Sequence, residues 1–251
     1  MPLTRRHLLA STLPAVFAAG AERGFAARLL PAPLDGGFAM EGYWVWCGSA
    51  IRGPEGRYHL FASRWPRALP LATHWLTNSE VVRAESPKPE GPYRFAEVVL
   101  PARGENFWDG RSTHNPTIHH WRGLYLLFYT GSTYRGQTPA PGRFASEELR
   151  LEARANQLVG VAVAKSLRGP WQRLDKPLIE PRPGQWDGFM TNNPAPCVHG
   201  DGSVLLIYKS ARDPQGLLHL GAARAPRWDG PYRRLKDSPL FDFSATGDHV
   251  E

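Results

Sequence analysis

The stretch GLYLLFY at residues 123–129, followed by LVGVAVAKS at residues 158–166 and by Gly-Pro-Trp at residues 169–171, decides the fold of this 251-residue chain. Each apolar run is short, rich in β-branched and aromatic residues, and bounded by turn-forming residues. This pattern is typical of a buried strand rather than a helix. An Asn-Pro pair at residues 115–116 precedes the runs, so the order of the parts is Asn-Pro, two apolar runs and Gly-Pro-aromatic.

This cassette occurs three times. An earlier copy includes residues 56–63, 80–86 and 91–93, and a later copy includes residues 193–195, 202–208, 218–224 and 230–232. The prolines of Gly-Pro-aromatic lie 78 and 61 residues apart, and a period of roughly 70 indicates a propeller or an array. Four strands fit in each unit, and a radially repeated four-stranded antiparallel unit is a propeller blade. We therefore predict an all-β propeller chain in which Gly-Pro-aromatic is the turn into each outer strand.

The composition argues against long helices and against a nucleic-acid-binding protein. The 24 Pro and 25 Gly residues favour tight turns over long helices. The formal net charge of +7 comes from scattered Arg residues without a dense basic run, so we predict no nucleic-acid partner.

Cys47 and Cys197 belong to non-adjacent units, too far apart for a disulfide, and we expect two packed thiols. No Cys or His cluster indicates a zinc site.

The N-terminus has the pattern of a targeting segment. Arg5-Arg6 precedes an apolar stretch from Leu8 to Ala19 and a small-residue site, which is similar to a twin-arginine export signal. The stretch is too short for a stable membrane anchor. We expect residues 1–27 to be a signal peptide and lead-in, residues 28–251 to be a single propeller domain, and the protein to be periplasmic or secreted.

The cassette, the segment AKSLRGPW at residues 164–171 and the terminal sequence GDHVE resemble the five-bladed β-propellers of glycoside hydrolase family 43 and the related invertase, levansucrase, family 117 and family 130 enzymes. The resemblance covers about residues 40–251. It implies five blades, of which about three and the start of a fourth are present, so we expect a C-terminally incomplete propeller. It also implies a carbohydrate ligand and no cofactor or catalytic metal, with a structural calcium ion as an open alternative.

In such propellers the starting ends of the inner strands converge on one funnel, where two carboxylates cleave the glycosidic bond. Asp109 and Asp187 each follow a Trp and precede a Gly at the entrance to an inner strand. They are candidate catalytic groups, although an Asp before Gly also commonly caps its own turn. Glu41 precedes the first inner strand and is a candidate base or nucleophile. Glu251 matches the position of the family's general acid.

The chain departs from the family pattern at two inner strands, where Asn115 and Asn193 stand in place of an Asp before Pro. An Asn side chain can hydrogen-bond a sugar hydroxyl but cannot take up a proton. We expect substrate-binding roles for a set of polar and aromatic residues near the funnel. These are Trp46, Arg64, Arg111, His114, Asn115, Asn193, Lys209 and His249.

Three functions fit these patterns. The first is an exported glycoside hydrolase-like protein with a two-carboxylate mechanism, in which Glu251 is the acid and Glu41 or Asp109 the base or nucleophile. The second is a non-catalytic carbohydrate-binding propeller or an inactive fragment, which Asn115 and Asn193 favour. The third is a glycoside phosphorylase, whose phosphate would need cations such as Arg64, Arg111 or Lys209.

Overall fold

The computed structural model describes residues 28–140, 143–243 and 246. Residues 28–34 belong to a small N-terminal unit and contain no strand, whereas the residues from Asp35 onward form the large unit. Within the described part of the large unit, twelve strands form three four-stranded antiparallel sheets. The predicted signal peptide lies outside the described residues, and export stays a prediction.

The first sheet, blade 1, has the order β1-β2-β3-β4. Its elements are β1 (Tyr43–Arg52), β2 (Tyr58–Pro66), helix α1 (Leu71–Asn78), β3 (Glu80–Ser86) and β4 (Arg94–Leu100). Each strand pairs with the next in the chain, so the sheet is a simple meander. Such a unit is the blade that the repeated cassette predicts.

Blades 2 and 3 repeat this meander. Blade 2 consists of β5 (Ser112–Trp121), β6 (Leu124–Ser132), helix α2 (Glu147–Ala155), β7 (Leu158–Ala164) and β8 (Gln172–Arg173). Blade 3 consists of β9 (Asn192–Val198), β10 (Val204–Ser210), β11 (His219–Ala225) and β12 (Arg233–Arg234). The inner strands are β1, β5 and β9, and the outer strands are β4, β8 and β12. The three sheets confirm the prediction of an all-β chain with about three propeller blades.

The Gly-Pro-aromatic steps lie where the cassette places them, directly before the outer strands. Gly91, Gly169 and Gly230 have φ values of +93°, +81° and +104°, which favour glycine because it has no Cβ. The peptide bond from each of these glycines to its proline is cis.

The core lies between the blades, and strand β6 shows how one strand serves two interfaces. Leu127 and Tyr129 pack with residues of blade 1, whereas Leu126 and Phe128 pack with residues of blade 3. The alternation follows from the two-residue period of a strand. Strand β6 is therefore buried on both faces, which explains why residues 124–129 form a continuous apolar run.

Two short helices cover the starting ends of the inner strands. Helix α2 lies between β6 and β7, and Ser146 caps it by accepting a hydrogen bond from the Leu149 N–H. Helix α1 was not predicted. Leu76 of α1, Tyr134 and Ala153 of α2 share a small buried cluster, so the two helices pack together at this end of the blades. Within the described residues, neither helix has the length and apolarity of a membrane span.

Both cysteines are free thiols, but only one resembles a packed residue. Cys47 is half-buried in β1, whereas Cys197 is exposed on β9. The prediction of a packed thiol is wrong for Cys197, because its side chain and that of Ala195 lie on a face of β9 that none of the three described blades covers.

Candidate functional site

Each inner strand is interrupted by a bulge at the same position. Cys47, Asn115 and Asn193 have φ values of +52°, +50° and +50°, and the strand register shifts beside each of them. A left-handed residue in a bulge turns the strand locally and aims the neighbouring side chains in a new direction. Asn tolerates this conformation better than most residues, which gives Asn115 and Asn193 a backbone role besides any contact with a ligand.

The bulges connect one blade to the next. The Asn115 N–H donates to the Ser63 hydroxyl of β2 at 3.0 Å, and the Asn193 N–H donates to the Thr130 hydroxyl of β6 at 2.9 Å. The strand register places Ser63 opposite Trp46, Thr130 opposite His114 and Lys209 opposite Asn192. Lys209 therefore occupies, in blade 3, the position that carries the linking hydroxyl in blades 1 and 2.

A cavity of about 220 Å³, the axial cavity, lies where the three bulges meet. Its lining includes Cys47, Asn115 and Asn193. Burial raises the pKa of the Cys47 thiol to about 11, although the positive charge of Lys209 acts in the opposite direction. The thiol is therefore protonated at neutral pH and is not an activated nucleophile.

A second cavity of about 250 Å³, the entrance cavity, lies at the starting ends of the inner strands between α1, α2 and β10. Trp75 and Leu76 of α1 form one wall, and Arg150 and Arg154 of α2 form another. The remaining lining residues are Ala72, Thr73, Glu147, Leu151, Gln157, Met190, Asn192, Lys209 and Leu218. An aromatic wall beside several polar groups is typical of a small-molecule site.

The floor of the entrance cavity is a buried polar cluster. The Asn192 amide donates to Gln157 Oε1 at 2.8 Å, and His114 Nε2 lies 3.3 Å from the same oxygen. All three side chains are at most 2% exposed. Among the described residues, Asn192 Oδ1 and His114 Nδ1 have no hydrogen-bond partner. Because buried polar atoms are rarely left unpaired, these two atoms indicate a place for a hydrogen-bonding ligand or water.

Burial lowers the pKa of His114 to about 4, with Lys209 contributing in the same direction. The imidazole is therefore neutral at pH 7. With Gln157 Oε1 as acceptor, the proton lies on Nε2 and the free Nδ1 is an acceptor. The ring also packs edge-on against Trp75, at 5.1 Å between ring centroids. His114 thus lies directly behind the aromatic wall of the entrance cavity.

Asp109 lies away from both cavities, in a fully buried ion cluster. Its carboxylate accepts hydrogen bonds from Arg103 at 2.7 Å, from Tyr129 at 2.7 Å and from Arg173 of β8 at 3.3 Å. Trp108 stacks on the Tyr129 ring at 5.8 Å. Gly160 makes room for this indole, since a Cβ at Gly160 would lie 2.4 Å from it. The cluster ties the segment before β5 to the outer strand of the same blade.

Asp187 repeats this cluster in blade 3. It accepts hydrogen bonds from Arg182 at 2.8 Å, Tyr208 at 2.8 Å and Arg234 of β12 at 2.5 Å. Burial alone would raise the pKa of Asp187, but these hydrogen bonds and the Arg234 charge outweigh it and lower the pKa. In both clusters the printed donors are arginine and tyrosine side chains rather than the backbone of the aspartate's own turn. Asp109 and Asp187 have their acceptor capacity occupied by the protein itself.

The other predicted site residues are dispersed. Glu41 is exposed in the turn before β1. Arg64 is 8% exposed and pairs with Glu80 at 2.8 Å, and Arg111 pairs with Glu105 at 2.6 Å.

Trp46 is 48% exposed beside Trp65, with 6.2 Å between ring centroids. Of the predicted substrate-binding residues, Lys209 lines the entrance cavity, His114 backs it, and Asn115 and Asn193 line the axial cavity. Glu251 and His249 lie outside the described residues.

Sequence reasoning missed Trp75, Arg154, Gln157 and Asn192. A signal for Asn192 was present, because the two Asn-Pro repeats align it with His114. No comparable signal existed for the helical residues, since α1 and α2 have no counterpart in the cassette. In the described part of the chain, no three His, Cys, Asp or Glu side chains are grouped to hold a metal ion.

We expect Asp109→Asn to destabilise the protein by about 3–5 kcal/mol, because it removes the fully buried carboxylate that neutralises two largely buried arginines. Thermal and urea unfolding measure the effect, and Asp187→Asn should behave alike. Asp175→Asn is the control, since Asp175 also pairs with Arg103 but its side chain is 75% exposed. An Asp109→Asn protein as stable as the control variant would contradict the structural assignment.

The low pKa of His114 predicts that the free energy of unfolding decreases as the solution becomes more acidic. As the pH falls from about 6.5 towards about 4, the unfolded chain takes up this proton and the folded protein does not, so the free energy of unfolding decreases by on the order of 3 kcal/mol. Urea unfolding at a series of pH values should show a shallower decrease for His114→Gln. His120→Gln, on an exposed residue of the same strand, should keep the slope of the unchanged protein.

We expect iodoacetamide at mildly alkaline pH to label Cys197 well before Cys47, because Cys197 is exposed and the Cys47 thiol stays protonated. Mass spectrometry of the two cysteine-containing peptides gives the rates. Cys47→Ser should remove the slow site and Cys197→Ser the fast one. Equal rates would show that Cys47 is not protected.

No protein-family model and no curated protein matches the sequence. Among solved structures, Zg3597, a family 117 glycoside hydrolase from Zobellia galactanivorans, is similar with a TM-score of 0.59 and 23% identity, over 79% of this chain and 56% of that one. A structure described as a glycoside hydrolase has a TM-score of 0.58 and 16% identity, over 81% of this chain and 60% of its own. Sucrose-6-phosphate hydrolase from Lactobacillus gasseri has a TM-score of 0.53 and 14% identity, over 78% of this chain and 36% of its own.

The chain thus spans less than two thirds of the length of these proteins. Similarity at this level of identity establishes the fold. The chain shares the fold of these glycoside hydrolases, and its three four-stranded meanders are the propeller blades that the repeated cassette predicted.

Proposed function

We propose that the protein binds a carbohydrate in the entrance cavity and, as a glycoside hydrolase-like protein, cleaves a glycosidic bond of an oligo- or polysaccharide. One observation carries the proposal: the buried, unpartnered acceptor Asn192 Oδ1 lines the same cavity as the aromatic ring of Trp75. Sugars present hydroxyl donors together with an apolar ring face. Such a floor and such a wall complement both features.

Hydrolysis requires two carboxylates across the bond. We assign the base or nucleophile to Glu41, which is exposed at the start of β1 and so at the same end of the blades as the entrance cavity. Glu251 remains the proposed general acid by its resemblance to the family pattern. Export through the twin-arginine-type segment to the periplasm or beyond is part of the same proposal.

The second candidate is a non-catalytic carbohydrate-binding protein. A specific observation favours it: the three bulge positions carry Cys47, Asn115 and Asn193, and none of these is a carboxylate. The phosphorylase alternative has less support, because the carboxylates Glu80 and Glu105 neutralise Arg64 and Arg111.

The test combines a turnover assay with a binding assay on the same variants. Aryl glycosides and oligosaccharides identify a substrate, and we expect Glu41→Gln and Glu251→Gln each to reduce turnover by about 10²- to 10⁴-fold while binding persists. Trp75→Ala should weaken binding, because the aromatic wall is lost. Glu90→Gln, at an exposed Glu of blade 1, is the control.

The outcomes separate the candidates. Unchanged turnover in both Glu variants would overturn the two-carboxylate assignment. Binding without turnover in the unchanged protein, lost in Trp75→Ala, would establish the non-catalytic candidate. Turnover that requires inorganic phosphate would establish the phosphorylase.

A further inference from the structure

We propose that the entrance cavity selects a sugar that carries a negative charge, such as a uronate or a sulfated sugar. The inference rests on the proposed carbohydrate function and specifies the substrate class of the same site. Its basis is the distribution of charge and of unpartnered polar atoms around the cavity lining.

The charges of the lining are mainly positive. Arg150 and Arg154 lie one turn apart on α2 and face the same cavity, and Lys209 reaches it from β10. Glu147 is the single carboxylate among the lining residues, and Arg150 pairs with it across one helical turn. The described lining therefore holds three cations against one anion. The neutral floor of Gln157, Asn192 and His114 adds no further charge at pH 7.

Arg154 is best placed to bind an anionic group. Among the described residues it forms no salt bridge, and its guanidinium lies 5.7 Å from the centroid of the Phe189 ring. A ring contact orients a guanidinium while its N–H groups remain free to donate, and the planar fork matches a carboxylate or a sulfate. Arg150 adds a second donor, because its Nε is buried and has no partner in the described structure.

The lining also has acceptors, and this combination defines the ligand. Asn192 is 2% exposed, lines the cavity and presents an unpartnered Oδ1, which requires a donor such as a hydroxyl group. An inorganic anion offers no such array of hydroxyl donors, whereas a neutral sugar leaves Arg154 without an anionic partner. A charged sugar satisfies both. The volume of about 250 Å³ lies just below the roughly 300–1,000 Å³ of pockets for larger ligands, so it suits a single sugar unit.

The experiment is calorimetric titration of the full chain with galacturonate, galactose 6-sulfate, galactose and inorganic phosphate. We expect the two charged sugars to bind at least tenfold more tightly than galactose, and added salt to weaken only the charged sugars. Arg154→Gln should reduce galacturonate affinity about tenfold or more and leave galactose unchanged, because it removes a charge-assisted hydrogen bond. Arg94→Gln, at an exposed Arg on outer strand β4, is the matched control and should change neither affinity.

Each outcome decides between the proposals. Equal affinity for galacturonate and galactose, insensitive to Arg154→Gln, would overturn the charge selectivity and leave the carbohydrate function standing. Phosphate binding that depends on Arg154, without preference among the sugars, would assign the cations to a phosphate co-substrate and also overturn it. If none of the sugars binds, the carbohydrate function fails as well.

Discussion

The hydrogen bond from the bulge of one inner strand to a hydroxyl on the second strand of the preceding blade is the constraint on which the rest of the structure depends. It satisfies a backbone N–H that the bulge removes from the sheet ladder, and buried groups of this kind must find a partner. Ser63 and Thr130 provide the acceptor in two successive blades. The bond thereby fixes where β5 and β9 turn, and hence the directions of His114 and Asn192, which immediately precede these two bulges.

The buried aspartates show why a repeated motif is a weak guide to catalysis. A catalytic pair needs two carboxylates in different environments, one able to hold a proton and one ionised. Asp109 and Asp187 instead have matching environments, each with two arginines and one tyrosine as donors. Their desolvation is offset by those charges, which is the condition for a stable buried carboxylate. The repetition therefore reflects the construction of a blade.

The sequence was sufficient to predict the all-β propeller blades, because the short apolar runs, the Asn-Pro pairs and the Gly-Pro turns are all local signals that recur. It was insufficient for the entrance cavity. That cavity joins α1, α2 and β10, which are distant in the chain, and its chemistry depends on which buried atoms remain unpartnered. Only Lys209 and His114 were predicted, since they flank the strand ends where the cassette is regular. Arg154 and Trp75 lie on helices between the strands, outside the repeat.

Lys209 lines the entrance cavity, and its charge also acts on Cys47 of the axial cavity, so it shows whether charge or burial governs the protonation of the groups near it. Its charge favours the thiolate of Cys47, yet burial prevails and the pKa of the thiol rises to about 11. The same charge adds to the burial of His114, whose pKa falls to about 4. Desolvation therefore keeps both buried groups neutral, and the positive charge of the site stays with Lys209, Arg150 and Arg154 at the cavity wall. Arg150 already pairs with Glu147, whereas Arg154 has no salt bridge among the described residues, and the neutral, low-dielectric floor strengthens the attraction of Arg154 for an anionic ligand.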